Sequence, residues 1–98
     1  MAEPRFANAA DAEFSEALLW YAERNPTAAE RFEAEIGRIV TLIGRSPELF
    51  PRCDRRHRQA MLQGFPYRVV FRDDEAVAVV VAVAHHRRRP NYWRGRNG

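Results

Sequence analysis

The sequence predicts one small α+β domain, a helical hairpin followed by a β-rich half, and a change of period along the chain predicts it. From Phe14 to Ile43 apolar residues recur at helical spacing, interrupted once by Asn25-Pro26, and from Arg58 onward the period falls to two. The 98-residue length suits a single core spanning 1–98. A chain of this size buries roughly 60–65% of its unfolded surface, enough to fold alone with a modest margin.

The element order expected is β-α-α-β-β-β. A short segment around Phe6 reads as an edge strand. Asp11 can cap a first helix running to about Arg24, because Phe14, Ala17, Leu18, Tyr21 and Ala22 form one apolar stripe. Thr27 with Glu30 makes a capping box for a second helix carrying Phe32, Ile36, Ile39, Val40 and Ile43, and Gly44 with Pro47 ends it. Three strands follow, at Gln59–Leu62, Tyr67–Arg72 and Ala76–His85, with a turn at Asp73-Asp74-Glu75. Alternation puts Tyr67, Val69 and Phe71 on one side and Arg68, Val70 and Arg72 on the other. It gathers Val77, Val79, Val81 and Val83 on one face of the last strand, expected against the helices. Small alanines on the opposite face would leave a shallow groove beside Arg68 and Arg72.

Charge is lopsided along the chain. Residues 1–50 hold nine acids and five arginines, net −4, whereas residues 51–98 hold four acids and eleven arginines, net +7. Lysine is absent, and arginine keeps its charge when partly buried and grips carboxylates or phosphates bidentately. A negatively charged partner is therefore expected on the second half. Cys53 is the only cysteine, which rules out an intramolecular disulfide and fits a reducing compartment. The N-terminus has no signal-like apolar stretch, and the longest apolar run, Ala76–Ala84, falls far short of the ~20 residues a spanning helix needs. A cytoplasmic protein with no membrane partner is the expectation.

The segment richest in chemistry runs from His85 to Arg96. Arg87, Arg88, Arg89, Arg94 and Arg96 interleave with Tyr92 and Trp93, combining phosphate-binding charge with rings on which a base can stack. A lone large aromatic such as Trp93 more often folds back into the core, whereas three consecutive arginines repel one another and point to a partner. His85 shares the valine parity and is expected to be structural; His86 stays open as a proton-transfer group. Cys53 and His57 are too sparse a pair to indicate a metal site, and no cofactor is expected.

Taken in order, the helical hairpin with Trp20-Tyr21 and Phe32, Ser46-Pro47, then Gly64-Phe65-Pro66-Tyr67-Arg68-Val69-Val70-Phe71, and finally Val83-Ala84-His85-x-x-Arg88-x-Pro90-x-Tyr92-Trp93-x-x-Arg96 resemble the RelE/ParE superfamily of type II toxin-antitoxin toxins. The second half is closer to the ParE-like pattern. The resemblance implies a two-helix hairpin packed on a small, twisted, mainly antiparallel sheet. It also implies a cognate antitoxin whose acidic, partly disordered segment wraps the toxin.

Two modes of action go with the resemblance. A ParE-like toxin poisons DNA gyrase by binding; a RelE-like one cuts messenger RNA on the ribosome without metal. Binding would use Arg68, Arg72, Arg87, Arg88, Arg89, Tyr92, Trp93, Arg94 and Arg96. Cutting would need Arg68 and Arg88 for transition-state charge and Tyr92 or His86 for proton transfer. RelE-type sites are typically lysine-rich, and here only Arg52, Arg55, Arg56 and Arg58 stand in that region. A non-toxic basic domain binding RNA or protein is the third reading.

Overall fold

The computed structural model describes residues 3–96, so the two outermost residues at each end of the expected 1–98 domain lie outside it. The elements are β1 (Arg5–Phe6), α1 (Asn8–Arg24), α2 (Pro26–Arg45), a 3-10 turn (Pro47–Leu49), β2 (Arg58–Met61), β3 (Tyr67–Arg72) and β4 (Val79–His85). The sheet order is β1-β4-β3-β2, with β1 parallel to β4 and the other pairings antiparallel. The expected β-α-α-β-β-β order and mainly antiparallel sheet are therefore present. Among the described residues no helix is long and apolar enough to cross a membrane.

Both helix starts differ from the sequence expectation, for different reasons. α1 begins at Asn8 rather than after Asp11, because Ala7 donates its N–H to the Val80 carbonyl and the chain passes directly from strand to helix. Asp11 instead falls in the first turn, where an acid complements the helix dipole. The cap of α2 is Asn25, whose side chain accepts from Ala28 N–H at 3.2 Å, and not the Thr27–Glu30 box. Pro26 at the first helical position explains the earlier start: its ring pre-sets φ and its missing N–H is one the helix could not satisfy anyway.

The hairpin packs on one face of the sheet around Phe32. That ring is fully buried and lies 5.3–5.9 Å from Phe14, Tyr21, Phe65 and Tyr67. Ile36, Ile39 and Ile43 from α2, with Val69 and Phe71 from β3, complete this core. β3 alternates as expected, with Arg68, Val70 and Arg72 turned away from the helices.

β4 does not alternate as expected. Val70 pairs with Ala82 but Phe71 pairs with Val80, so Val81 is an extra residue and the strand carries a bulge. The bulge shifts side-chain parity by one. Val80 and Val83 consequently meet the helices, whereas Val79 and Val81 join Ala82 and Ala84 on the far face. The single valine face is thus split in two. Nor is the alanine face an open groove: Trp93 packs over it with Ala7 and Val70 to form a second core. Covered on both sides, β4 is buried at every residue except His85, which explains its unbroken apolar sequence.

Candidate functional site

The basic segment after β4 folds into a succession of tight turns. Arg88, Tyr92, Arg94 and Arg96 donate their N–H groups to the carbonyls of His85, Arg89, Asn91 and Trp93, each three residues back. Asn91 and Gly95 supply the positive φ values, 62° and 86°, that these reversals demand. Trp93 at the centre is 2% exposed, with its ring 4.6 Å from that of His57.

Glu13, on α1, ties this turn to the sheet. Its carboxylate accepts from Tyr92 Oη at 2.7 Å, from Arg96 Nη1 and Nη2 at 3.0 and 3.2 Å, and from Val83 N–H at 3.0 Å; Arg88 lies 3.9 Å away. Arg96 Nη1 also donates to the Val81 carbonyl at 2.9 Å. β1 pairs with β4 only at Val79 and Val80, so beyond it these two side chains satisfy the strand edge that a neighbouring strand would otherwise cover. Tyr92 sits between the guanidinium groups of Arg88, 3.9 Å from its ring centre, and Arg96, at 5.0 Å. Burial, reinforced by the bond to Glu13, pushes the Tyr92 hydroxyl far above the usual tyrosine range. At neutral pH it is a fixed donor.

A second tie runs through Asp54. The His57 Nδ1 bonds to both its oxygens at 2.9 and 3.0 Å, Arg56 and His57 donate backbone N–H groups to it at 2.8 Å, and Arg94 Nε stands 3.4 Å off. Burial works to raise the Asp54 carboxyl, but these bonds outweigh it and leave the group below its ordinary value. The neighbouring Cys53 thiol is pushed up, first by burial and then by the Asp54 charge.

The structure sorts the arginines that the sequence grouped together. Arg96 and Arg94 are engaged by Glu13 and Asp54. Arg58 and Arg52 face Asp73, and Arg56 faces Asp74. Arg72 does not stand on an open face: it is buried, with Glu75 3.9 Å away. Trp93 is likewise a core residue rather than a presented ring. Arg68 is half-buried; its Nη1 makes a long 3.4 Å bond to Gln59, and its Nε is buried with no partner. Arg87 and Arg89 are exposed and have no acidic partner among the described residues. With the half-exposed Arg88 they are the charge the turn presents.

Two of the four candidates for RNA cleavage share one carboxylate, and the other two make separate contacts. Arg88 and Tyr92 gather on Glu13, Arg68 donates from β3 to Gln59 on the neighbouring β2, and His86 is exposed beyond β4. Glu13 is the residue sequence reasoning missed. Nothing marks it among the acids of the first helix, and its partner Arg96 lies 83 residues away.

The same fold and order of elements recur in known proteins. No curated protein matches the chain. A solved structure described as a chromosomal ParDE toxin-antitoxin system from P. aeruginosa superposes with a TM-score of 0.73, covering 87% of this chain and 96% of that one at 16% identity. At that identity the likeness is one of fold. The family model for the ParE toxin of the type II toxin-antitoxin system parDE matches residues 5–90, from β1 through the arginine run of the turn. The chain therefore belongs to the ParE toxin family of type II toxin-antitoxin systems.

Proposed function

We propose that this toxin arrests growth by binding DNA gyrase, and that a cognate antitoxin with an acidic segment neutralises it in the cytoplasm. The observation that carries a binding mode is the engagement of Tyr92 by Glu13. A hydroxyl donating at 2.7 Å to a carboxylate, and raised far above neutrality, is poorly placed to move a proton in RNA cleavage. The same contact suits a binding protein, because it fixes the backbone from which Arg87 and Arg89 project. A pre-ordered surface loses little entropy when a partner docks.

The test is gyrase-catalysed supercoiling and DNA cleavage with purified toxin across a range of concentrations. Inhibition of supercoiling or accumulation of cleaved DNA is expected. In cells, thymidine incorporation should fall before amino-acid incorporation after induction. Unaffected gyrase, together with new 5′ ends in translated messages, would overturn this reading in favour of a ribosome-dependent nuclease.

A further inference from the structure

The turn after β4 and the loop before β2 meet on the face of the sheet opposite the helices. His86 N–H donates to the Pro66 carbonyl at 2.9 Å, which sets the start of the turn beside the end of β3 that carries Arg68. Arg94 reaches across to Asp54 at 3.4 Å, and the charges of Arg68 and Arg94 both act on the Cys53 thiol next to Asp54 in the chain. Arg68, Arg87, Arg89 and Arg94 therefore belong to one region.

The ion pairs of this region are layered. Arg94 and Arg88 are each 55% exposed, whereas their partners Asp54 and Glu13 are 20% and 14% exposed. Carboxylates lie beneath and guanidinium groups above, so the field at the surface is positive although each pair is neutral in sum. Arg87 and Arg89 add charge that has no acid at all among the described residues. Arg68 is short of acceptors: its buried Nε has none, and its Nη1 makes only the 3.4 Å contact with Gln59. An anionic oxygen is the partner it lacks.

The same surface offers little besides charge. Its rings are unavailable for stacking, because Trp93 is buried and Tyr92 is held by Glu13 between two guanidinium groups. Unpaired bases need such platforms, whereas a duplex hides its bases and presents phosphates. Large apolar side chains that could anchor a protein are exposed elsewhere, Leu19 and Trp20 on α1 and Leu49 in the 3-10 turn; among the described residues only Met61, opposite Arg68 on β2, borders this region.

We infer that Arg68, Arg87, Arg89 and Arg94 bind the phosphate backbone of duplex DNA directly, without reading its sequence. The inference deepens the gyrase reading, on which it rests for the source of the DNA, by naming the duplex in that complex as a second contact of the toxin. The binding step itself is measurable without the enzyme.

The test is the anisotropy of a fluorescein-labelled DNA duplex of about 20 base pairs, titrated with full-length toxin at several salt concentrations. With roughly one phosphate per arginine, affinity should fall about a hundred-fold between about 50 and 200 mM salt. Arg87→Ala/Arg89→Ala should reduce that fall to about ten-fold, and Arg68→Met should reduce it to about forty-fold. The exposed pair can be removed with circular dichroism unchanged, so its effect is not one of folding. Arg24→Ala/Arg31→Ala on the hairpin should keep the parent salt dependence. Scrambling the duplex sequence should change nothing, and neither an oligothymidylate nor an RNA hairpin should compete better than unlabelled duplex DNA. Absence of duplex binding at the lowest salt, a parent-like salt dependence in either turn-side variant, an equal loss from the hairpin pair, or better competition by oligothymidylate or RNA would overturn the inference. Duplex binding as described with unaffected gyrase would remove the gyrase reading and leave the DNA surface standing; gyrase inhibition by a toxin that does not bind the duplex would do the reverse.

Discussion

The two faces of the sheet are held by different kinds of contact. On the helix side, Phe32 and its aromatic neighbours share burial among many side chains, and no single directional bond decides the packing. On the other side, the turn carrying the arginines rests on one indole and two carboxylates, Trp93, Glu13 and Asp54. Distributed apolar contact makes a scaffold that weakens by degrees as groups are removed. Concentrated polar contact makes an element that one substitution can release while the scaffold stays folded.

The comparison is broken most severely at its apolar end. Phe32→Ala should destabilise the protein by about 3–5 kcal/mol, measured by urea unfolding, because a large cavity opens where both helices meet the sheet. A loss under about 1 kcal/mol would mean the hairpin is not held as described. Glu13→Ala should cost less, about 2 kcal/mol, since the carboxylate is part-exposed and water replaces some of its bonds. Its effect should be local: faster hydrogen exchange at the Val83 amide and faster tryptic cleavage after Arg87 and Arg88, with amide protection in α2 unchanged. Uniform loss of protection would show that turn and scaffold unfold together.

Charge sharpens the same contrast with a smaller effect on stability. Arg87→Ala/Arg88→Ala/Arg89→Ala should stay within about 1 kcal/mol of the parent while markedly reducing growth arrest and partner binding. Neutralising Arg24, Arg31 and Arg38 on the hairpin should leave both nearly intact. Comparable losses from the two sets would move the site away from the turn.

The weakest expected effect is one of pH. The Asp54 carboxyl is held below its ordinary value, so the stability it adds is complete above the unfolded value, about 3.9, and disappears as pH falls through the lower folded value. Asp54→Asn should remove that acid dependence, worth under about 1 kcal/mol. An unchanged acid profile would show that the bonds from His57 and the Arg56 and His57 amides do not hold the Asp54 carboxylate in its charged form.

Much of the scaffold was legible in the sequence. The helical spacing of Phe32, Ile36, Ile39 and Ile43 and the alternation of Tyr67 to Arg72 depend on which residues lie three, four or two apart, and that information is local. The arginine-rich composition of the turn was legible for the same reason. The capping box at Thr27 was misread because Asn25 and Pro26 make a competing start that is equally local and two residues earlier.

The remaining features were decided by contacts distant in sequence. The bulge at Val81 reversed the parity of the valines because β4 must satisfy two packed faces at once, a demand that a strand's own pattern does not express. Which arginines stay free was decided by where the few acids arrive in space: Glu13 reaches Arg96 from 83 residues away, and Asp73 reaches Arg58 from 15. The sequence alone determined the helices, the strands and the concentration of arginine in the second half of the chain, because periodicity and composition are carried residue by residue. The tertiary structure alone decided that Trp93 and Arg72 are buried, that Tyr92 is spent on Glu13, and that Arg87 and Arg89 face outward, because charge neutralisation and burial depend on distance in space rather than along the chain.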